Sequence, residues 1–148
     1  MSSLNLPKFD WDIRENKGSA TIFDPLRKKH IVLTPEEWVR QHFVQYLIQH
    51  LKYPKSLIQL ERGHAYNTLA KRTDILVYDR SGSPFMLIEC KASHIKIDEK
   101  VFRQASVYNK TIQAKYLVVT NGVQHFCCCI DHVNGKFDFM NELPIYGS

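Results

Sequence analysis

The run PFMLIEC, residues 84–90, is interrupted by a single charged side chain, Glu89. A strand with one face in water alternates apolar and polar residues. A strand apolar at successive positions is covered on both faces and belongs in the middle of a sheet. This one stretch therefore demands a sheet with packing elements on both sides. The run TDILVYD, residues 73–79, precedes it across Ser81-Gly82-Ser83, with Pro84 opening the second run. Two apolar runs flanking such a turn predict a β-hairpin.

The flanking segments supply the cover. In LTPEEWVRQHFVQYLIQHLKYP, Thr34 suits an N-cap, Pro35 the first helical position and Glu37 the third residue after the cap. Val39, Phe43, Leu47 and Leu51 recur at helical spacing, so an amphipathic helix is expected to end before Pro54. Past the hairpin, Asp98 is a candidate cap, and Val101, Ala105, Tyr108 and Ile112 form a second helical stripe. HIVL at 30–33, SLIQLER at 56–62, KYLVVTNG at 115–122 and VQHFCCCID at 123–131 read as strands. Asn134-Gly135 is a strong hairpin turn before KFDFM. A helix between IECK and YLVVTNG allows a right-handed crossover joining parallel strands, so an α/β fold with a mixed sheet is expected. Residues 1–29 are polar with scattered Phe9, Trp11 and Phe23 and no sustained period. They read as an N-terminal arm or irregular strand packed on a single domain at residues 30–148.

Composition narrows the class. The chain has 148 residues, 44% apolar and 24% charged, as in a soluble globular protein with one core. No apolar run is long enough to cross a bilayer, and the first residues lack a secretory apolar segment, so a cytoplasmic location is expected. The net charge of +5 permits nucleic-acid contact without requiring it. Arg27, Lys28 and Lys29 together with Lys91, Lys96, Lys100 and Arg103 can line a DNA track or form a solvated face. Cys90, Cys127, Cys128 and Cys129 contain no C-x-x-C pair, which argues against a tetrahedral zinc site and for half-buried strand residues. The seven histidines are scattered and read as exposed or core residues.

The chemistry concentrates in the hairpin. Residues i and i+2 of a strand share a face, so Glu89 and Lys91 project together while Cys90 turns away. Asp74, on the preceding strand, can be brought alongside. Two neighbouring carboxylates repel each other, and a divalent cation with hard oxygen preference relieves that repulsion. A lysine beside such an ion can orient water or stabilise charge as a phosphodiester breaks. The competing reading is a plain ion pair of Lys91 with Glu89 or Asp74. The apolar character of the strand weighs against it, because unpaired charge is costly there.

Asp74, then Glu89-Cys90-Lys91 after a hydrophobic strand, resembles the PD-(D/E)xK nuclease signature. The ordered segments LTPEEWVRQ, KRTDILVYD, IECKA, QASVYN and YLVVTNG resemble the N-terminal nuclease domain of type I restriction enzyme R subunits. The resemblance implies a restriction-endonuclease-like mixed central β-sheet flanked by helices, with an αβββαβ core. It implies a magnesium- or manganese-dependent endonuclease acting on DNA. In that reading Asp74 and Glu89 bind the metal, Lys91 is the catalytic lysine, and Glu37 (or Glu36) completes the site from the first helix. Charge at a helix N-terminus is the alternative for both glutamates. Gln104 and Tyr108 resemble the Q-x-x-x-Y element near the catalytic strands, although a core role suits Tyr108 better. Arg72 is a phosphate contact or an exposed or paired arginine. Asn121, in Thr120-Asn121-Gly122, is a turn residue or part of a backbone phosphate cradle. Thr73 stands where the signature's name has proline. No Walker A sequence occurs, so ATP-driven translocation is not expected of this chain alone. The expected partners are DNA and either a second copy or a restriction or helicase subunit. The rival expectation is a catalytically inactive nucleic-acid-binding or assembly module on the same fold.

Overall fold

The computed structural model describes residues 1–60 and 75–148. Helix α1 spans Pro35–Gln49. Strands β4 (Ile58–Leu60), β5 (Ile75–Tyr78) and β6 (Pro84–Cys90) follow, then helix α2 (Glu99–Ile112) and strand β7 (Tyr116–Thr120). β8 (His125–Asp131) and β9 (Lys136–Met140) complete a six-stranded sheet in the order β4-β5-β6-β7-β8-β9. β6 and β7 run parallel, and the other neighbours are antiparallel. The chain is thus a mixed α/β structure.

β6 is central, as its apolar run requires. Met86, Ile88 and Cys90 point to one face, where they pack with Val39, Phe43 and Leu47 of α1. Leu87 points to the other, where it packs with Leu117, Val119 and Ala105 of α2. The period of 2 along the strand thus divides one apolar run between two cores. Both helices begin where expected. The Thr34 hydroxyl accepts the Glu37 amide at 3.0 Å, and the Asp98 carboxylate accepts the Val101 amide at 2.9 Å. The Asn134-Gly135 turn joins β8 to β9, with Gly135 at φ +69°, a conformation that favours glycine. The Asp79 carboxylate braces the β5–β6 turn by accepting the amides of Ser81 and Ser83.

Residues 13–32, of which only HIVL at 30–33 reads as a strand in sequence, form an antiparallel meander of β1 (Ile13–Asn16), β2 (Ser19–Asp24) and β3 (Lys29–Val32). The boundary drawn after residue 29 falls inside β3, whose pairing with β2 makes this stretch one unit. The pattern is hard to read because the meander buries little: only Ile22 and Asp24 are fully covered, and Asp24 is polar. Residues 2–5 cross the sheet end at β7. The Asn5 amide donates to the Gly122 carbonyl at 2.8 Å, and the Trp38 indole donates to the Ser2 carbonyl at 2.9 Å.

Ile88 is completely buried between β5, β7 and α1. Truncation to alanine should cost about 2–5 kcal/mol through lost transfer energy and a cavity. Urea denaturation of the Ile88→Ala variant reads this directly, with an unchanged m-value expected.

Candidate active site

The end of β6 carries a buried carboxylate. Glu89 is 5% exposed, and its Cα partner on β7 is Val119, which lies in the α2-side core. Residues paired across a sheet share a face, so Glu89 points to the α2 side. Lys91 lies just past the strand but is kept in register by its amide, which donates to the Thr120 carbonyl at 2.8 Å. Its ammonium lies 3.7 Å from Glu89 Oε1, and 29% of its side chain is exposed. The predicted same-face pair is therefore formed, with one buried acid and one water-accessible cation. Cys90 turns to the opposite core, as alternation requires. Asp74 and Arg72, both singled out from sequence, lie outside the described residues.

Glu37 is brought to a different set of partners. Arg40 Nε donates to its Oε2 at 2.9 Å, and a second guanidinium nitrogen contacts Oε1. The Gln41 amide donates to Glu37 Oε2 at 2.9 Å and to Asp24 Oδ2 at 3.2 Å. Asp24 also accepts the amides of Leu26 and Arg27. All four side chains are buried. This network ties α1 to β2 on the face of the sheet opposite Glu89. Both Glu37 oxygens are therefore engaged within the protein. The separation has a simple cause: α1 packs on the Ile88 and Cys90 face, whereas Glu89 is one residue out of phase. Among the described residues, no three His, Cys, Asp or Glu side chains come together at metal-binding spacing. Glu36, the alternative acid, is partly exposed in the same helical turn.

The remaining candidates divide between core and surface. Tyr108 packs against the α2-side core, as the core reading anticipated, while Gln104 is exposed one turn earlier. Asn121 is a turn residue. Its side chain donates to the Ile95 carbonyl and accepts the amides of Val123 and Gln124. The Asn121 and Gly122 amides donate to Gln124 O and Thr120 Oγ1. A backbone phosphate cradle at 120–122 would need those amides, so the structure replaces that expectation with a closed turn.

Two polar features were not singled out from sequence. One is the hold of Thr120 on Lys91: Thr120, named from sequence only as part of the 120–122 turn, is fully buried, its carbonyl accepts the Lys91 amide and its hydroxyl lies 2.7 Å from His125 Nδ1. No local pattern marks it. The other is the Arg40–Gln41–Asp24 network. Arg40 and Gln41 stand three and four residues after Glu37, a spacing that brings helical side chains together, so part of this was readable. Burial pushes the thiols of Cys127 and Cys128 up to about 12 and about 11, which makes them poor nucleophiles. His125 and His42 are both held below the usual imidazole range, chiefly by burial. His42 packs against the rings of Trp11 and Trp38.

The family model for the type I restriction enzyme R protein N terminus matches residues 35–144. The chain belongs to this family. The matched region runs from the first turn of α1 past β9, so both core faces and the Glu89–Lys91 pair lie within the R protein N-terminal unit. No curated protein and no solved structure matches the chain. No helix among the described residues is long and apolar enough to cross a membrane.

Removing one partner of the buried pair leaves the other charge without compensation. Arg40→Ala should destabilise the protein by about 3–5 kcal/mol, measured by denaturant unfolding. Proton linkage gives a second expectation. His42 and His125 bind protons more weakly folded than unfolded, so the unfolded state takes up protons first as pH falls through about 6.5. Their contribution is present above that pH and declines below it. The melting temperature should drop between pH 7.5 and 5.5, and more steeply in the parent than in a His42→Gln/His125→Gln variant.

Proposed function

We infer that this R protein N-terminal unit is a metal-dependent endonuclease that hydrolyses DNA phosphodiester bonds. The observation that carries the reading is a buried carboxylate, Glu89, placed beside a water-accessible lysine at the end of β6, a strand covered on both faces. The element order α1-β4-β5-β6-α2-β7 supports a restriction-endonuclease-like αβββαβ core. Burying an acid costs free energy unless something compensates it. Lys91 supplies part of that compensation, and a hard cation suits the oxygen donor.

In this reading Glu89 and Asp74 hold a magnesium or manganese ion. When bound, the ion supplies Lewis acidity and lowers the pKa of attacking water. Lys91 has its backbone tied to Thr120 and its head in reach of solvent. It orients the nucleophilic water and stabilises negative charge that develops on the phosphate. Glu37 acts at a distance, by fixing α1 through Arg40 and Gln41. Gln104 is exposed on α2 and available to substrate, with Tyr108 anchoring that helix. Arg72 is a phosphate contact. The protein acts in the cytoplasm, with a restriction or helicase subunit or a second copy as its partner.

A second reading, an inactive nucleic-acid-binding or assembly module, is favoured by one observation. Among the described residues, Glu89 is not joined by two further metal-ligand side chains. Plasmid DNA with and without manganese separates the two. The nuclease reading expects metal-dependent nicking, reduced at least about a hundredfold in Lys91→Ala, within the range for loss of a positioned proton-transfer group. The melting temperature of that variant should stay within a few degrees of the parent. Undiminished nicking by Lys91→Ala removes the lysine's role. No nicking and no calorimetric magnesium binding, with DNA binding retained, establishes the module.

A further inference from the structure

A second feature shares the Glu89 end of the sheet. β6 and β7 run parallel and end there, and antiparallel β8 begins there. Glu89, Val119 and Phe126 are paired in a row across β6, β7 and β8, all on the α2 face. Two strand spacings separate Glu89 from Phe126, about 10 Å between Cα atoms. At this end Ile97, Asp98, Glu99, Phe102, Phe126 and Phe139 enclose a groove of about 270 Å³. Phe139 is 65% exposed and Phe126 37%, an unusual exposure for rings so large. The Phe102 and Phe139 rings lie 5.3 Å apart at 39°, so they form a connected aromatic wall.

The polar groups around the groove favour a nucleic-acid occupant. Asp98 caps α2 through the Val101 amide, and Glu99 pairs with Arg103 at 2.6 Å. Lys96 and Lys100 are exposed beside them, and neither forms an ion pair among the described residues. The surroundings thus offer ring faces for a base, with the exposed Lys96 and Lys100, set beside the lining Asp98 and Glu99, as cations for its phosphates. Apart from Asp98 and Glu99, which are engaged by the Val101 amide and Arg103, the groove is lined by apolar side chains, and stacking on such rings tolerates any sequence. A few nucleotides, at about 3.4 Å of rise each, span the distance from Glu89.

We propose that the groove between the start of α2 and strands β8–β9 is a stacking site for an unpaired DNA base, next to the strand held at Glu89 and Lys91. This rests on DNA being the substrate inferred above. It adds a preference for single-stranded or frayed DNA, set by Phe126 and Phe139 with Phe102 behind them. The nucleobase is the committed occupant; a second copy docking through the free edge of β9 is the competing outcome.

The test is binding, not cleavage. Single-stranded oligonucleotides carrying 2-aminopurine are titrated with the full chain in EDTA and followed by fluorescence, beside a blunt duplex of equal length. Phe126→Ala and Phe139→Ala should each weaken single-strand affinity about tenfold and remove the 2-aminopurine quenching, the effect of deleting one stacking ring. Duplex affinity should change less than twofold. Val133→Ala, which trims a still more exposed apolar side chain in the β8–β9 turn, should change neither. Unaltered single-strand binding in both phenylalanine variants overturns the proposal, even if the parent cuts DNA. A parent dimer that Phe139→Ala converts to monomer in sedimentation velocity, without loss of oligonucleotide affinity, also overturns it in favour of the second copy. No oligonucleotide binding by the parent overturns this proposal, while manganese-dependent plasmid nicking decides the DNA reading separately.

Discussion

The double-sided burial of β6 is the constraint on which the rest of the structure depends. Met86, Ile88 and Cys90 belong to the α1-side core, joined there by Phe85 at the strand's start, and Leu87 belongs to the α2-side core. Neither helix can be lost without exposing a row of this strand to water, at about 25 cal/mol for each Å² of apolar surface. The crossover through α2 follows from the same requirement. β7 lies parallel to β6, so the chain must return along the sheet, and α2 makes that return while covering the odd-numbered face.

Glu89 and Lys91 inherit their geometry from this arrangement. The strand's period places both on the α2 side, and the Lys91 amide bond to Thr120 extends the β6–β7 register by one residue beyond the assigned strand. The acid is buried because it belongs to a buried strand. The lysine reaches solvent because it stands where the strand ends. A partly dry carboxylate beside a hydrated cation thus arises from position along a single strand.

The opposite face uses charge differently. Asp24, Glu37, Arg40 and Gln41 satisfy one another between β2 and α1, leaving one Arg40 nitrogen and the Gln41 oxygen without a hydrogen-bond partner among the described residues. A network of this kind contributes less to net stability than to a unique docking geometry for the two elements, since desolvation offsets much of its attraction. The N-terminal meander is held by it, so a stretch with little apolar surface of its own is ordered by polar contacts. Just before the meander, Phe9 and Trp11 add ring contacts to His42 and Trp38 of α1.

The sequence by itself determined what depends on near neighbours. Thr34 and Asp98 mark the helix starts because a cap is a contact over three residues. Asn134-Gly135 marks the β8–β9 turn because its backbone conformation is local. The PFMLIEC run marks the central strand because burial on both faces leaves almost no polar positions. The Glu89–Lys91 pair follows from strand alternation alone. What only the tertiary structure decided depends on partners distant in the chain. The family resemblance placed Glu37 in the active site, but α1 docks on the other face, where Arg40, Gln41 and Asp24 engage it. The Asn121 turn looked open in sequence until its amides found Gln124 and Thr120. The pairing of β1 with β2, the hold of Thr120 on Lys91 and the meeting of Phe102 with Phe139 have no local signature. Each brings together side chains whose proximity is fixed by packing, and packing is settled by the whole core at once.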